Sequence, residues 1–346
     1  MNEGAMRCPT LKDLPPPPVG KTGWPWTEQS TPAPDLTPGG DPWPRISIVT
    51  PSYNQGAFIE ETIRSVLLQG YPDLEYIIID GGSTDASVEI IQKYSPWLTF
   101  WVSEKDSGQA QAINKGFVMA TGGVVAWLNS DDIYFRDVLQ HVARKYITHA
   151  GRKFWIVAAV EYNDFESGEK VVSYQKPFYS INDWVFGGAS LHQQGAFWDR
   201  SILDDAGLLF EDMDFGFDKE YFTRLIALGY RYSCPKDVVA GRYRQHKDCK
   251  WKKGLIPFKY EWLRSSIIHL PKSTPNYKQV RKNLCRSLGY FEIRLSQDRN
   301  KSFSQRLRLL ARVFFRSPRS CLTDRAFIGS LSRLMFPWAY STAGKP

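Results

Sequence analysis

Between residues 46 and 128, short apolar runs alternate with stretches of helical spacing, and this alternation restricts the fold more than any other feature. Ile46-Ser47-Ile48-Val49-Thr50 reads as a buried strand, and Ile59, Ile63, Val66 and Leu67 then recur on one helical face within residues 58–69. Tyr76-Ile77-Ile78-Ile79, Thr99-Phe100-Trp101-Val102 and residues 124–128 are three further strands, with helices expected over 85–94 and 109–120. Strand, helix, strand with short links is the pattern of a parallel α/β sheet covered by helices on both faces.

The polar residues of this region fall just past the strands. Pro51, Ser52 and Tyr53 follow the first, Asp80 the second, Glu104 and Asp106 the third, and Asn129, Asp131 and Asp132 the fourth. All are expected on the carboxyl edge of the sheet, where open parallel sheets bind ligands. In DGGSTD, residues 80–85, an acid, two glycines and a helix start make either a nucleoside grip or simply a tight strand-to-helix turn. Within SEKDSGQAQAINKG, residues 103–116, Gly108 relaxes the turn and Lys115 is a candidate phosphate contact. Adjacent Asp131 and Asp132 repel each other unless a counter-charge or a solvated turn relieves them. One Mg²⁺ or Mn²⁺ carrying a diphosphate suits such a pair, because these ions take carboxylates together with substrate phosphates.

The stretch ISIVTPSYNQGAFIEETIRSVLLQGYPDLEYIIIDGGSTDASVEII, followed by SEKDSGQAQAINKGFVMATGGVVAWLNSDDIY, closely resembles family 2 glycosyltransferases, inverting enzymes of GT-A fold. The likeness is dense over residues 45–142 and legible to about residue 251. It implies a metal-dependent hexosyl transfer from a nucleotide-sugar to a hydroxyl acceptor, in polysaccharide, lipopolysaccharide or other glycoconjugate assembly. By this resemblance Pro51, Tyr53 and Glu61 belong to the first nucleotide-site segment, Asp80 and Asp106 to the nucleotide side, Asp131 to the ribose side, and Asp132 to the metal. FDKEYFTRL, residues 217–225, matches the segment carrying the catalytic base, which places that role on Asp218 with Glu220 as second choice. HQQGAFWDR matches an acceptor segment in which Gln193, Gln194 and Trp198 could meet sugar, and YRQHKDCK matches a late motif offering His246 to the metal and Lys250 to the diphosphate. An acid at the base site suggests a donor carrying uridine or another pyrimidine.

The flanks differ from this body. Residues 1–44 hold 11 of the 22 prolines together with Trp24, Trp26 and Trp43, which suggests an arm packed along the domain through its rings. Residues 241–346 carry 24 Lys and Arg against 5 Asp and Glu, a net of +19, whereas the remainder is at −11. The expected organisation is therefore an arm over 1–44, a GT-A domain over 45–255 (nucleotide half 45–145, acceptor half 146–255) and a basic, mainly helical extension over 256–346. In QRLRLLARVFFR, residues 305–316, Leu307, Leu310, Ala311 and Phe314 share a helical face beside Arg308, Arg312 and Arg316. Docking of that face on the body is the expectation, with an anionic membrane as the alternative. Five cysteines without a CxxC pair read as free thiols, and with no secretory or membrane-spanning pattern the expected location is cytoplasmic, peripheral to the membrane if the tail binds lipid. Two other classes remain in view. A nucleotidyltransferase would want basic residues after the first strand, and TPSYNQGAF has none. A non-catalytic nucleic-acid or membrane binder would leave the strand-end acids without a purpose, and those acids repel a phosphate backbone, so no nucleic-acid partner is expected.

Overall fold

The computed structural model describes residues 7–149, 153, 155–164, 167–176, 184, 191–230, 232–247, 254–298, 300–316 and 325–335. The chain forms two compact units, residues 1–247 and 248–346. The N-terminal arm lies in the first, and the division falls eight residues before the position expected from sequence.

In the first unit, β1 (Ile46–Ser52), β2 (Leu74–Asp80), β3 (Phe100–Ser103) and β4 (Val124–Trp127) pair in parallel in the order β3-β2-β1-β4. Both β1 and β2 are buried on both faces, as parallel strands sandwiched by helices must be, and this explains their unbroken apolar runs. The crossovers are α1 (Ile59–Leu67), α2 (Ser87–Tyr94) and α3 (Gln109–Met119). The chain winds outward from β1 to β3, then returns to place β4 on the other side of β1. The gap between the ends of β1 and β4 is thus a topological switch point, where a crevice opens.

Beyond β4 the sheet turns antiparallel through β9 (Ala196–Asp199) and β6 (Trp155–Val157). A second sheet has the order β5-β10-β7-β8, made of Ile133–Tyr134, Val239–Gln245, Ala159–Asp164 and Lys170–Ser173. Residues 155–164 thus form two strands in two sheets, divided at Ala158. There Ala158 donates its N–H to Gly195 O at 2.8 Å. A Cβ on Gly195 would collide with the Ala158 carbonyl, so only glycine permits this crossing of backbones. The remaining helices of the unit are α4 (Val138–Thr148), α5 (Ser201–Ala206) and α6 (Phe217–Ala227). Sequence periodicity missed β5, α4 and β9, which are short or lie within motif-like stretches.

The arm is anchored by a buried cation. Arg64, fully buried on α1, donates from Nε to Pro25 O (3.0 Å), from Nη1 to Pro15 O (2.8 Å) and from Nη2 to Trp26 O (3.0 Å). A proline-rich segment is short of N–H groups to pair its own carbonyls, and the five-donor guanidinium supplies them. Trp26 and Trp43 are buried, and Trp24 Nε1 donates to Tyr134 O at 2.8 Å.

The second unit contains α7 (Leu255–Ile268), α8 (Tyr277–Ser296), α9 (Phe303–Arg316) and α10 (Arg325–Met335). Its core joins Ile293 of α8, Leu310 and Val313 of α9, and Phe327 and Leu334 of α10. The inner face of α9 is Leu309, Leu310 and Val313, which corrects the face drawn from sequence: Leu307 and Phe314 are exposed. Among the described residues Cys8, Cys234 and Cys285 are free thiols, and no helix is long and apolar enough to cross a membrane.

Replacing Arg64 by Ala strands three backbone carbonyls in an apolar layer. We expect a loss of about 3–5 kcal/mol, of the order seen when a buried charged group is deleted from its partners. Urea unfolding measures it, and a change below about 1 kcal/mol would mean the arm is not held this way.

Candidate functional site

The site is built where β1, β2 and β4 end. At the end of β2, buried Asp80 accepts from Gly82 N–H (3.1 Å), Ser83 N–H (2.8 Å), Ser83 Oγ (2.6 Å) and Ser103 Oγ (2.7 Å). Gly82 takes φ +80°, which a residue with a side chain rarely adopts. The turn reading of DGGSTD is therefore realised, and Asp80 holds the loop rather than presenting a bare carboxylate. The preceding loop is laced to it: Asn54 N–H donates to Ser83 Oγ and Gly56 N–H to Asp85 Oδ2, both at 2.8 Å. Asp106 stands over the same turn, since a Cβ on Gly81 would come within 2.7 Å of its Oδ2.

At the end of β4 the two adjacent acids part. Asp132 is fully buried. Its Oδ2 accepts from Gln194 Nε2 at 2.7 Å and from Gln193 Nε2 at 3.4 Å, and its Oδ1 accepts from Arg244 N–H at 3.0 Å. Burial, and then the charge of Asp131, push its carboxyl well above the ordinary range against the pull of Gln194 and Arg244. Gln193 Oε1 is buried with no partner. Turning that amide would bring the oxygen to where a protonated Asp132 could donate to it. Asp131 instead keeps 20% of its side chain exposed, and its Oδ2 lies 3.2 Å from His246 Nε2. The resemblance assigns the metal to Asp132; in this structure Asp132 is enclosed, and Asp131, paired with His246, is the acid that keeps access to solvent. The cause is local: at adjacent positions after a strand, one side chain turns inward and the other outward.

Sequence reasoning also missed the residue that joins these groups. Arg244, 2% exposed, lies at the end of β10. Its Nη1 pairs with Glu61 Oε2 at 2.7 Å, its Nη2 reaches Thr62 Oγ1 at 3.1 Å, and its Nε donates to the Asp131 carbonyl. Its guanidinium lies over Phe58, and that ring stacks on His246 at 4.5 Å. Glu61, expected in the nucleotide segment, is thus the counter-charge of Arg244. A signal did exist: Arg244, in β10, and His246, just beyond its end, are two apart, and an extended chain turns such residues to one side.

Other candidates are placed as follows. Pro51 is buried in β1 opposite Ile79, and Tyr53 just beyond is 61% exposed. Lys115 is ion-paired with Glu104, just past β3, and the two line with Asp106 and Gln111 a cavity of about 400 Å³. Gln193 and Gln194 clamp Asp132. Trp198 is fully buried against Trp127 and Tyr221, in the core rather than on a sugar surface. Glu220 is fully buried and paired with Arg224 at 2.7 Å. Asp218 stands in the first turn of α6, half-buried, and accepts the N–H of Lys219 at 2.7 Å. Lys219 itself lies over the Trp184 ring at 4.5 Å and is pushed down to about 8 by burial, opposed by Asp218. Lys250 lies outside the described residues.

A parallel sheet with a switch-point crevice, a carboxylate-imidazole pair at its fourth strand and a mixed second half defines a GT-A-like nucleotide-sugar transferase fold. Residues 47–204 match the family model "Glycosyl transferase family 2", so this part of the chain is a family 2 glycosyltransferase domain. The chain is 42% identical over 100 residues to the putative teichuronic acid biosynthesis glycosyltransferase TuaG of Bacillus subtilis, covering 28% of this chain and 40% of that protein. It is 29% identical over 186 residues to an uncharacterized glycosyltransferase of Mycobacterium tuberculosis, covering 52% and 68%. The chain thus spans less than half the length of the Bacillus relative. Among solved structures, S. aureus TarS 1–349 in complex with UDP-GlcNAc superposes with a TM-score of 0.57 at 17% identity, covering 84% of this chain and 81% of that one, a likeness of fold.

His192, next to the glutamine clamp, meets Tyr162 Oη and Ser173 Oγ. Burial, then the charge of Lys219, push it down to about 4. Its folded pKa lies below the unfolded value of about 6.5, so the unfolded chain binds the extra proton and stability falls as pH drops from about 6.5 toward 4. We expect about 1–2 kcal/mol to be lost by pH 5. Thermal midpoints across that range should show a flatter acid limb in His192→Gln; an identical limb would remove His192 as its source.

Proposed function

We propose that the protein transfers a glycosyl group from a nucleoside diphosphate sugar to a hydroxyl of a glycan or lipid-linked acceptor, with inversion and with Mg²⁺ or Mn²⁺, in cell-envelope polysaccharide assembly. The observation that carries this reading is the Asp131–His246 pair at the switch-point edge of a family 2 domain. One carboxylate and one imidazole suit a hard or borderline cation whose remaining ligands are diphosphate oxygens and water. Asp132, already saturated by amide and backbone donors, does not suit it. When bound, the cation offsets the charge that develops on the leaving diphosphate.

The residues of the chain supply the rest. The laced loops after β1 and β2, with Asp80 and Asp106, form the nucleoside side. The UDP-GlcNAc complex of the TarS neighbour supports uridine as the base to try first. Asp218 takes the proton of the acceptor hydroxyl as that oxygen attacks the anomeric carbon. The bond from that carbon to the diphosphate oxygen breaks on the opposite face, which inverts the configuration. Free thiols and a nucleotide-sugar donor fit a cytoplasmic site of action. A nucleotidyltransferase reading has less behind it, since the loop after β1 offers no cation for a triphosphate.

The test is thermal shift with UDP, UDP-GlcNAc and other nucleotide-sugars, with and without Mn²⁺, followed by transfer assays. We expect UDP to raise the midpoint only with Mn²⁺, and Asp131→Asn to abolish that response. Asp132→Asn should keep it, with a midpoint within about 3 °C of wild type, because an amide replaces a carboxyl already biased towards its neutral form. Asp218→Asn should keep the shift and lose transfer by about 10²–10⁴-fold. A metal response that survives Asp131→Asn and disappears in Asp132→Asn would return the metal to Asp132 and overturn this assignment.

A further inference from the structure

Helix α9 has two apolar faces. Leu309, Leu310 and Val313 are buried in the second unit, while Phe303, Leu307 and Phe315 are 56%, 38% and 82% exposed, and Phe314, 37% exposed, stacks on Phe327 of α10. At about 100° per residue, Phe303, Leu307 and Phe314 fall within a narrow arc, and Phe315 borders the exposed Arg308 and Arg312. Ile328 and Met335 of α10, seven apart and so on one side, are 48% and 53% exposed. A helix that needs only one inner face has no folding reason to carry Phe303, Leu307 and Phe315 outward.

Charge narrows the choice of partner. Residues 248–346 carry 21 Lys and Arg against 5 Asp and Glu, a net of +16. A second copy would bring like charge to like charge. A nucleic acid would satisfy the arginines and leave the phenylalanines in water. Anionic lipid satisfies both: rings enter the boundary between headgroup and acyl chain while guanidinium groups meet lipid phosphates. We propose that the outward face of α9, flanked by α10, docks this protein on an anionic bilayer. The surface stands without the transferase reading, and lipid binding is measured without turnover.

The experiment is co-sedimentation of the full chain with phosphatidylcholine vesicles, with and without phosphatidylglycerol. Wild type should sediment only with the anionic vesicles and be released as salt rises. The double variant Leu307→Ser/Phe315→Ser should bind about tenfold more weakly, and Arg308→Gln about threefold, with thermal midpoints unchanged. Val171→Ser, which removes an exposed apolar group from the first unit, should bind like wild type. Absence of binding by wild type, equal binding to neutral vesicles, or undiminished binding by the double variant overturns the proposal. A concentration-dependent dimer lost in the double variant also overturns it, by assigning the face to a second copy.

Discussion

The buried guanidinium of Arg244 is the contact on which the reactive edge depends. Taking that charge out of water is costly, and the cost is offset only because Glu61, Thr62 and the Asp131 carbonyl all converge on it. These partners come from α1 and from the loop after β4, while Arg244 comes from β10, 182 and 183 residues after its α1 partners and 113 after Asp131. One side chain thus sets the distance between the loop leading from β1 and the loop carrying the acids. Its own N–H completes the shell of Asp132, so the inward acid and the cation share one desolvated volume. With Asp132 held inward, Asp131 turns the other way, toward His246, whose ring stacks on Phe58.

The same economy governs the arm. Arg64 does for the proline-rich carbonyls what Arg244 does for the acid loop, and both arginines are presented to or from α1. Helix α1 is therefore fixed on two sides by buried charge, which explains how a nine-residue helix beside the crevice keeps its place. The glutamines of the 193–195 turn complete the arrangement from the side of β9. There, the close crossing at Gly195 and Ala158 divides the second half of the unit between two sheets.

Much of the fold was legible because β1 to β4 are buried on both faces, so burial writes itself into the sequence as unbroken apolar runs. Strand ends were legible for the same reason: polarity begins where burial stops. Legibility failed where burial and polarity do not separate. Asp132, Gln193, Gln194 and Glu220 are polar residues inside the protein to which the resemblance gives site roles, and Arg244, equally buried, carried no motif that singled it out. Trp198 failed in the opposite sense, since an aromatic side chain suits a sugar surface and a core equally well. Helix α9 failed because its two apolar faces adjoin, so periodicity marked one broad face and chose its wrong edge.

What the sequence determined by itself was the α/β alternation, the carboxyl edge where acids gather, and the family those motifs resemble. Local patterns of three to eight residues carry all of these. Only the tertiary structure decided which of two adjacent aspartates is enclosed and which keeps access to solvent, and which acids are counter-ions of buried arginines. The reason is that a carboxylate's role is set by its neighbours' charge and by its access to water, and those neighbours arrive from strands more than a hundred residues apart.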